Sequence, residues 1–122
     1  MLTNDIATFL DGLAVAEEGT NMFRHDMPAD PDTALCLYEY SAGDPDQYLD
    51  KPGLTVRTRA LSADAARQLM QDVETAISFK GDLILSGTKY LIIAPLGSPA
   101  PNGRDERGRY EFVQNFSAIV AR

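Results

Sequence analysis

His25 is the only histidine in the 122-residue chain, so any acid–base triad or histidine metal cluster would have to be built on it. Asp26 adjoins it, but neighbours on an extended segment point to opposite faces and do not form one unit. Two Asp-Pro-Asp runs, Asp30 to Asp32 and Asp44 to Asp46, have the i, i+2 carboxylate spacing that calcium uses. Neither continues into an EF-hand loop with its fixed glycine and terminal glutamate, and acidic turn chemistry accounts for both. The single cysteine, Cys36, sits between Leu35 and Leu37 and is expected as a buried small hydrophobe; it has no second cysteine for an intrachain disulfide. Gly97 to Gly108 holds glycines and arginines without a Gly-x-Gly-x-x-Gly or Walker pattern, which argues against a phosphate cradle. No constellation for catalysis emerges, and no cofactor or metal is expected.

The remaining charged residues of interest suit contacts between protein surfaces. Arg57 and Arg59 alternate with Val56, Thr58 and Ala60, placing both guanidinium groups on the outer side of a half-buried strand. There they could pair bidentately with a neighbour's carboxylates, or simply form a solvated or edge-protecting face. Arg104, Asp105, Glu106, Arg107 and Arg109 make a mixed-charge tip that is either a solvated hairpin or a register-setting contact in an assembly. Asp44, Asp46 and Asp50 form an acidic loop that is a candidate partner for the basic strand face.

The elements that must position these groups follow from hydrophobic period. Leu54 to Ala60 alternates as a strand, and at Ser62 the period changes from two to about 3.6. Ala66, Leu69, Met70, Val73 and Ile77 form one helical face, with Ser62 as N-cap, Asp64 near the helix start and Lys80-Gly81 at its end. Leu2, Ile6, Phe9, Leu10 and Leu13 predict a first helix capped by Thr3 or Asn4. Met22 to Met27 is a short extended segment, and Ala34 to Tyr40 an apolar central strand. Leu83 to Ile93 is two short strands or one with a bulge. Asn102-Gly103 is a hairpin-turn signal. Tyr110 to Val120 fits strand and helix patterns alike; the hairpin before it and its aromatic and β-branched content favour strand. The expectation is one domain over residues 1–122: an α+β fold with a mostly antiparallel sheet of five to six strands and two helices on one face.

Eleven basic against eighteen acidic residues give a net charge of −7, which opposes general nucleic-acid binding through phosphates. No apolar run reaches the roughly 20 residues that a membrane-spanning helix needs, so no membrane partner is expected. The start of the chain lacks a signal-peptide pattern, which makes the cytoplasm the default site of synthesis.

Four stretches taken together carry a family resemblance. They are Met27-Pro28, Pro31-Asp32, the run Gly53-Leu-Thr-Val-Arg-Thr-Arg-Ala60, and the run Gly103-Arg-Asp-Glu-Arg-Gly-Arg-Tyr-Glu-Phe-Val-Gln-Asn-Phe116. In this order, behind a short N-terminal helix, they resemble the small minor capsid proteins of long-tailed bacteriophages, a group overlapping with the tail terminators. The resemblance implies a virion structural protein of the head–tail junction, with no catalytic residues. It implies a ring, six-fold in the terminators, that caps the tail tube, ends its polymerisation and offers a surface to the head-completion (stopper) protein. DNA would pass through the lumen without specific binding. Another neck protein of similar build, or a small cytoplasmic binding module, are the alternatives.

Overall fold

Tyr110 to Ala121 is a strand, and it is the axis of the molecule. The computed structural model describes residues 2–41 and 48–121. In chain order it contains α1 (Leu2–Gly12), β1 (Met22–Arg24), β2 (Ala34–Ser41), β3 (Leu49–Asp50), β4 (Pro52–Ala60), α2 (Ala63–Ile77), β5 (Phe79–Leu85), β6 (Thr88–Pro95), β7 (Ala100–Arg104) and β8 (Tyr110–Ala121). The sheet order is β1-β2-β4-β8-β6-β5, with β3 and β7 also bonded to β8. At about 3.3 Å per residue the 12-residue β8 is roughly 40 Å long, long enough to hold two strands end to end along each edge. One edge takes β4 and then β3; the other takes β7 and then β6. All pairings are antiparallel except β1 with β2. The α+β architecture expected from the sequence is present, with more strands than its pattern indicated.

Both helices pack on one face. Residues of α2 lie against β4, β8 and β6, and those of α1 against β1, β2, β4, β5 and α2. The core between them is apolar and continuous, built from Ile6, Leu10, Met22, Leu35, Leu37, Leu54, Val56, Met70, Val73, Ile93 and Phe116 among others. Ser62 caps α2 by accepting the amide of Ala65 at 3.1 Å. The helix stops at Ile77, and Lys80-Gly81 belongs to β5, so the helix-ending role expected for that pair goes instead to Ser78 in an extended conformation. In α1 the cap also differs from expectation: the helix starts at Leu2, whose amide is accepted by the Glu39 carboxylate from β2 at 2.9 Å. Three further contacts hold the same turn: Arg24 to Asn4, Tyr90 to Asp5, and the 3.3 Å approach of Thr3 Oγ1 and His25 Nε2.

Asn102-Gly103 is not the hairpin turn. The β7–β8 hairpin is real, but its turn is Asp105 to Gly108, closed by Gly108 N to the Asp105 carbonyl at 3.0 Å and Asp105 N to the Arg109 carbonyl at 2.9 Å. Gly103, at φ +82°, instead supplies the left-handed residue at the register shift within β7. The other hairpin, β5–β6, turns through Ser86 and Gly87 at φ 51° and 81°, the backbone signs of a type I′ turn.

Candidate assembly surface

Helices cover only one face of the sheet, so alternate residues of β2, β4 and β8 form a second face without a helix. Across those strands the register places Cys36 beside Arg57 and Val113, Tyr38 beside Thr55 and Asn115, and Gly53 between Tyr40 and Ser117. Arg57 lies at the centre of this face. Its Nη2 and Nε donate to Glu111 Oε1 at 2.6 and 3.2 Å, and that hydrogen bond, outweighing partial burial, pushes the guanidinium pKa up. Thr55 Oγ1 donates to Asn115 Oδ1 at 2.8 Å. Burial, then contact with Cys36, pushes the Tyr38 hydroxyl up as well.

Arg59 does not share a solvated cationic face with Arg57, as the alternation suggested. It is 3 % exposed and is used inside the chain. Its Nη2 donates to the Pro31 carbonyl at 2.5 Å and its Nε to the Asp32 carbonyl at 3.4 Å. Burial, and then the nearby Arg109 charge, lower its pKa, while Asp105, Glu111 and Asp32 offset that repulsion. The turn it holds contains a cis Asp30–Pro31 bond.

The charged hairpin tip closes on the same turn. Arg109, 4 % exposed, donates to the Ala29 carbonyl at 2.5 Å, to Asp32 Oδ1 at 3.4 Å and to Asp105 Oδ2 at 2.7 Å. Arg107 reaches Asp30 Oδ1 at 3.0 Å and the Ala29 carbonyl at 3.3 Å. Asp105 in turn accepts from the amides of Arg107 and Arg109 at 3.0 and 2.9 Å. Burial acts to raise its carboxyl, but the Arg109 amide, the Arg109 guanidinium and the Arg107 amide together hold it below the usual range. The two acidic and basic motifs, about 75 residues apart in the chain, thus form one intrachain clasp. Arg104 and Glu106 stay exposed, Arg104 lying over the Tyr110 ring at 4.9 Å.

Asp50 is on β3, opposite Val120 of β8; Asp44 and Asp46 lie outside the described residues. His25 follows β1 at φ 64° and stands edge-on to Tyr38, with ring centroids 6.5 Å apart. Cys36 is fully buried, and burial raises its thiol pKa. Among the described residues no group of three or more His, Cys, Asp or Glu side chains is placed to hold a metal. No helix among them is long and apolar enough to cross a membrane. The buried roles of Arg59 and Arg109 were beyond sequence reasoning, because a strand pattern cannot show which loop folds back over it.

Comparison with known proteins finds this fold in other solved chains. One solved chain with the same fold belongs to the virion of a native gene transfer agent particle. It aligns at a TM-score of 0.66 and 18% identity over 93% of this chain and 84% of that chain. A second aligns at a TM-score of 0.60 and 10% identity over 98% of this chain and 89% of that one. No curated protein matches the sequence. The family described as bacteriophage tail terminator protein matches residues 9–122, which takes in every strand, α2 and the whole clasp. The chain therefore belongs to the bacteriophage tail terminator family, a family of structural virion proteins.

Proposed function

We propose that the protein caps the tail tube at the head–tail junction as a ring of identical subunits, six in number. In this role it ends tube polymerisation and presents a docking surface to the head-completion protein. The family match over residues 9–122 carries the proposal. The physical character of the chain supports it. A ring of identical copies needs heterologous contacts, in which one patch meets a different patch on the next copy. A surface at net charge −7 repels the DNA phosphates that pass through a lumen, so passage needs no specific binding.

Of the charged groups proposed for subunit contact, Arg57, Arg104, Glu106 and Asp50, together with Asp44 and Asp46, are assigned to meeting a neighbour. Arg59, Asp105, Arg107 and Arg109 serve that contact indirectly, by holding the hairpin tip and the acidic turn in one shape.

The test is negative-stain microscopy of particles from a phage lacking the gene. Overlong tails beside separate, DNA-filled heads are the expected result. Normal-length tails detached from heads would move the protein to another neck position, and infectious particles of normal form would end the structural reading.

A further inference from the structure

The helix-free face of the sheet has an unusual charge balance for this chain. Solvated faces of antiparallel sheets ordinarily carry polar and charged side chains. Here the chain holds 11 basic and 18 acidic residues, yet the charged groups on this face of β2, β4 and β8 are Arg57, Glu111 and Arg59. Arg57 and Glu111 bond each other, and Arg59 is covered by the carbonyls of the acidic turn. Around them Phe23, Tyr38, Val113, Ile92 and Ile119 are half-exposed, and Asn115 is exposed. Ile92 and Ile119 are direct cross-strand neighbours, so the apolar strip runs on from β8 into β6. Depletion of charge together with aromatic residues and an arginine is the composition of the centre of a protein interface.

We infer that this face is covered by a second copy of the same chain. The inference rests on the ring-forming reading above and names its contact surface. Charge selects the occupant. Two copies at −7 each repel wherever their acidic surfaces meet, and they approach at least cost through this face, whose only carboxylate, Glu111, is paired with Arg57 and whose charges sum to +1 with Arg59. A basic partner would be drawn to the acidic surfaces instead. Nucleic acid finds no unpaired cation here, because Arg57 is engaged by Glu111 and Arg59 by the turn.

The test compares the purified wild-type chain with the double variant Asn115→Asp, Ser117→Asp and with Gln71→Asp on the exposed side of α2 as control. Aspartate at 115 keeps an acceptor for Thr55 Oγ1 while adding charge to the face. Sedimentation velocity across a wide concentration range is expected to show the wild type and the control growing beyond monomer mass, and the double variant staying monomeric with an unchanged melting temperature. Should the double variant fold poorly, Asn115→Cys supplies a second readout, with Cys36 buried and silent. Its thiol is expected to label readily when dilute and to be protected when concentrated. A wild type that is monomeric at every concentration, a double variant that associates like the wild type, or a thiol equally reactive throughout would overturn the inference. Overlong tails in the gene deletion alongside any of these would retain the terminator reading and remove only this surface.

Discussion

Arg59 Nη2 lies 2.5 Å from the carbonyl oxygen of Pro31, joining a central strand to a turn 28 positions earlier in the chain. The guanidinium is buried and has Arg109 nearby, an arrangement that only the surrounding carboxylates and carbonyls make tolerable. Arg59→Ala removes both donors and strands two carbonyls, at a cost of about 1–3 kcal/mol, moderated by relief of the repulsion with Arg109. Arg104→Ala, on an exposed residue whose guanidinium lies over the Tyr110 ring, is expected to cost only about 0.5–1 kcal/mol. Urea denaturation of both variants measures the difference, and equal midpoints would show that the turn is not held by Arg59.

Tyr90 ties the far end of the sheet to α1. Its hydroxyl donates to Asp5 Oδ2 at 2.5 Å, and both residues are almost fully buried. Burial first, then the hydrogen bond, then the negative charges of Asp5 and Glu39 push its pKa well above the ordinary 10.0. The sign follows directly: a folded value raised above the unfolded one gives stability that is complete below pH 10.0 and is lost as pH rises beyond it. The wild type is therefore expected to lose stability in alkali, and Tyr90→Phe to show a flatter alkaline limb. At neutral pH the same variant leaves a buried carboxylate without its donor and costs roughly 1.5–3 kcal/mol. Melting temperatures of the two proteins from neutral pH to above 10.0 decide it; parallel curves would show that Tyr90 does not titrate with unfolding.

What could be read before the structure was known, and what could not, divides along physical lines. The β4–α2 unit was legible because its information is local: period two gives way to period 3.6 at Ser62, and that serine caps the helix as its type requires. The strand character of Tyr110 to Val120 was legible only through the hairpin before it and its aromatic and β-branched content, because Gln114 breaks the alternation. Gln114 is tolerated there because its Nε2 donates to the Gly97 carbonyl at 2.7 Å and reaches Glu74 of α2 at 3.3 Å. The cap on α1 was not legible, since the acceptor for Leu2 N is Glu39, 37 positions away. Nor was the fate of Arg59 and Arg109. Alternation places a side chain on a face, but only the path of the acidic turn decides whether that face is wet. Asn102-Gly103 misled for a related reason: left-handed backbone suits a bulge as well as a turn, and the local sequence does not distinguish them.

Asp105 organises the hairpin tip and has the opposite pH sign to Tyr90. Its carboxyl is held below the ordinary 3.8, so its stabilising effect is complete above that value and is lost as pH falls through the lower folded one. Asp105→Asn keeps an acceptor but loses the charge that faces Arg109, so the tip is expected to loosen at pH 7 and the variant to respond less to acid. Hydrogen exchange of the Arg107 and Arg109 amides, which donate to this carboxylate, reports the tip directly. Exchange as slow in the variant as in the wild type would show that the turn closes without the charge.

Gly53 has a steric role on the candidate assembly face. It pairs directly with Tyr40 across β2 and β4, and a Cβ at position 53 would clash with the Cζ and Cε atoms of the Tyr40 ring. The glycine is thus the floor on which that ring lies, an arrangement in which an aromatic side chain covers backbone that a glycine leaves bare. Gly53→Ala would force the ring aside at a cost of about 1–2 kcal/mol, even though alanine ordinarily improves on glycine within a strand. The conflict lies between these two side chains alone, so it must vanish when the ring is removed. In a Tyr40→Ala background, Gly53→Ala is expected to be neutral or slightly stabilising, giving a clear coupling energy in a double-mutant cycle. Equal effects of Gly53→Ala in both backgrounds would place the glycine requirement in the backbone of β4 rather than under the Tyr40 ring.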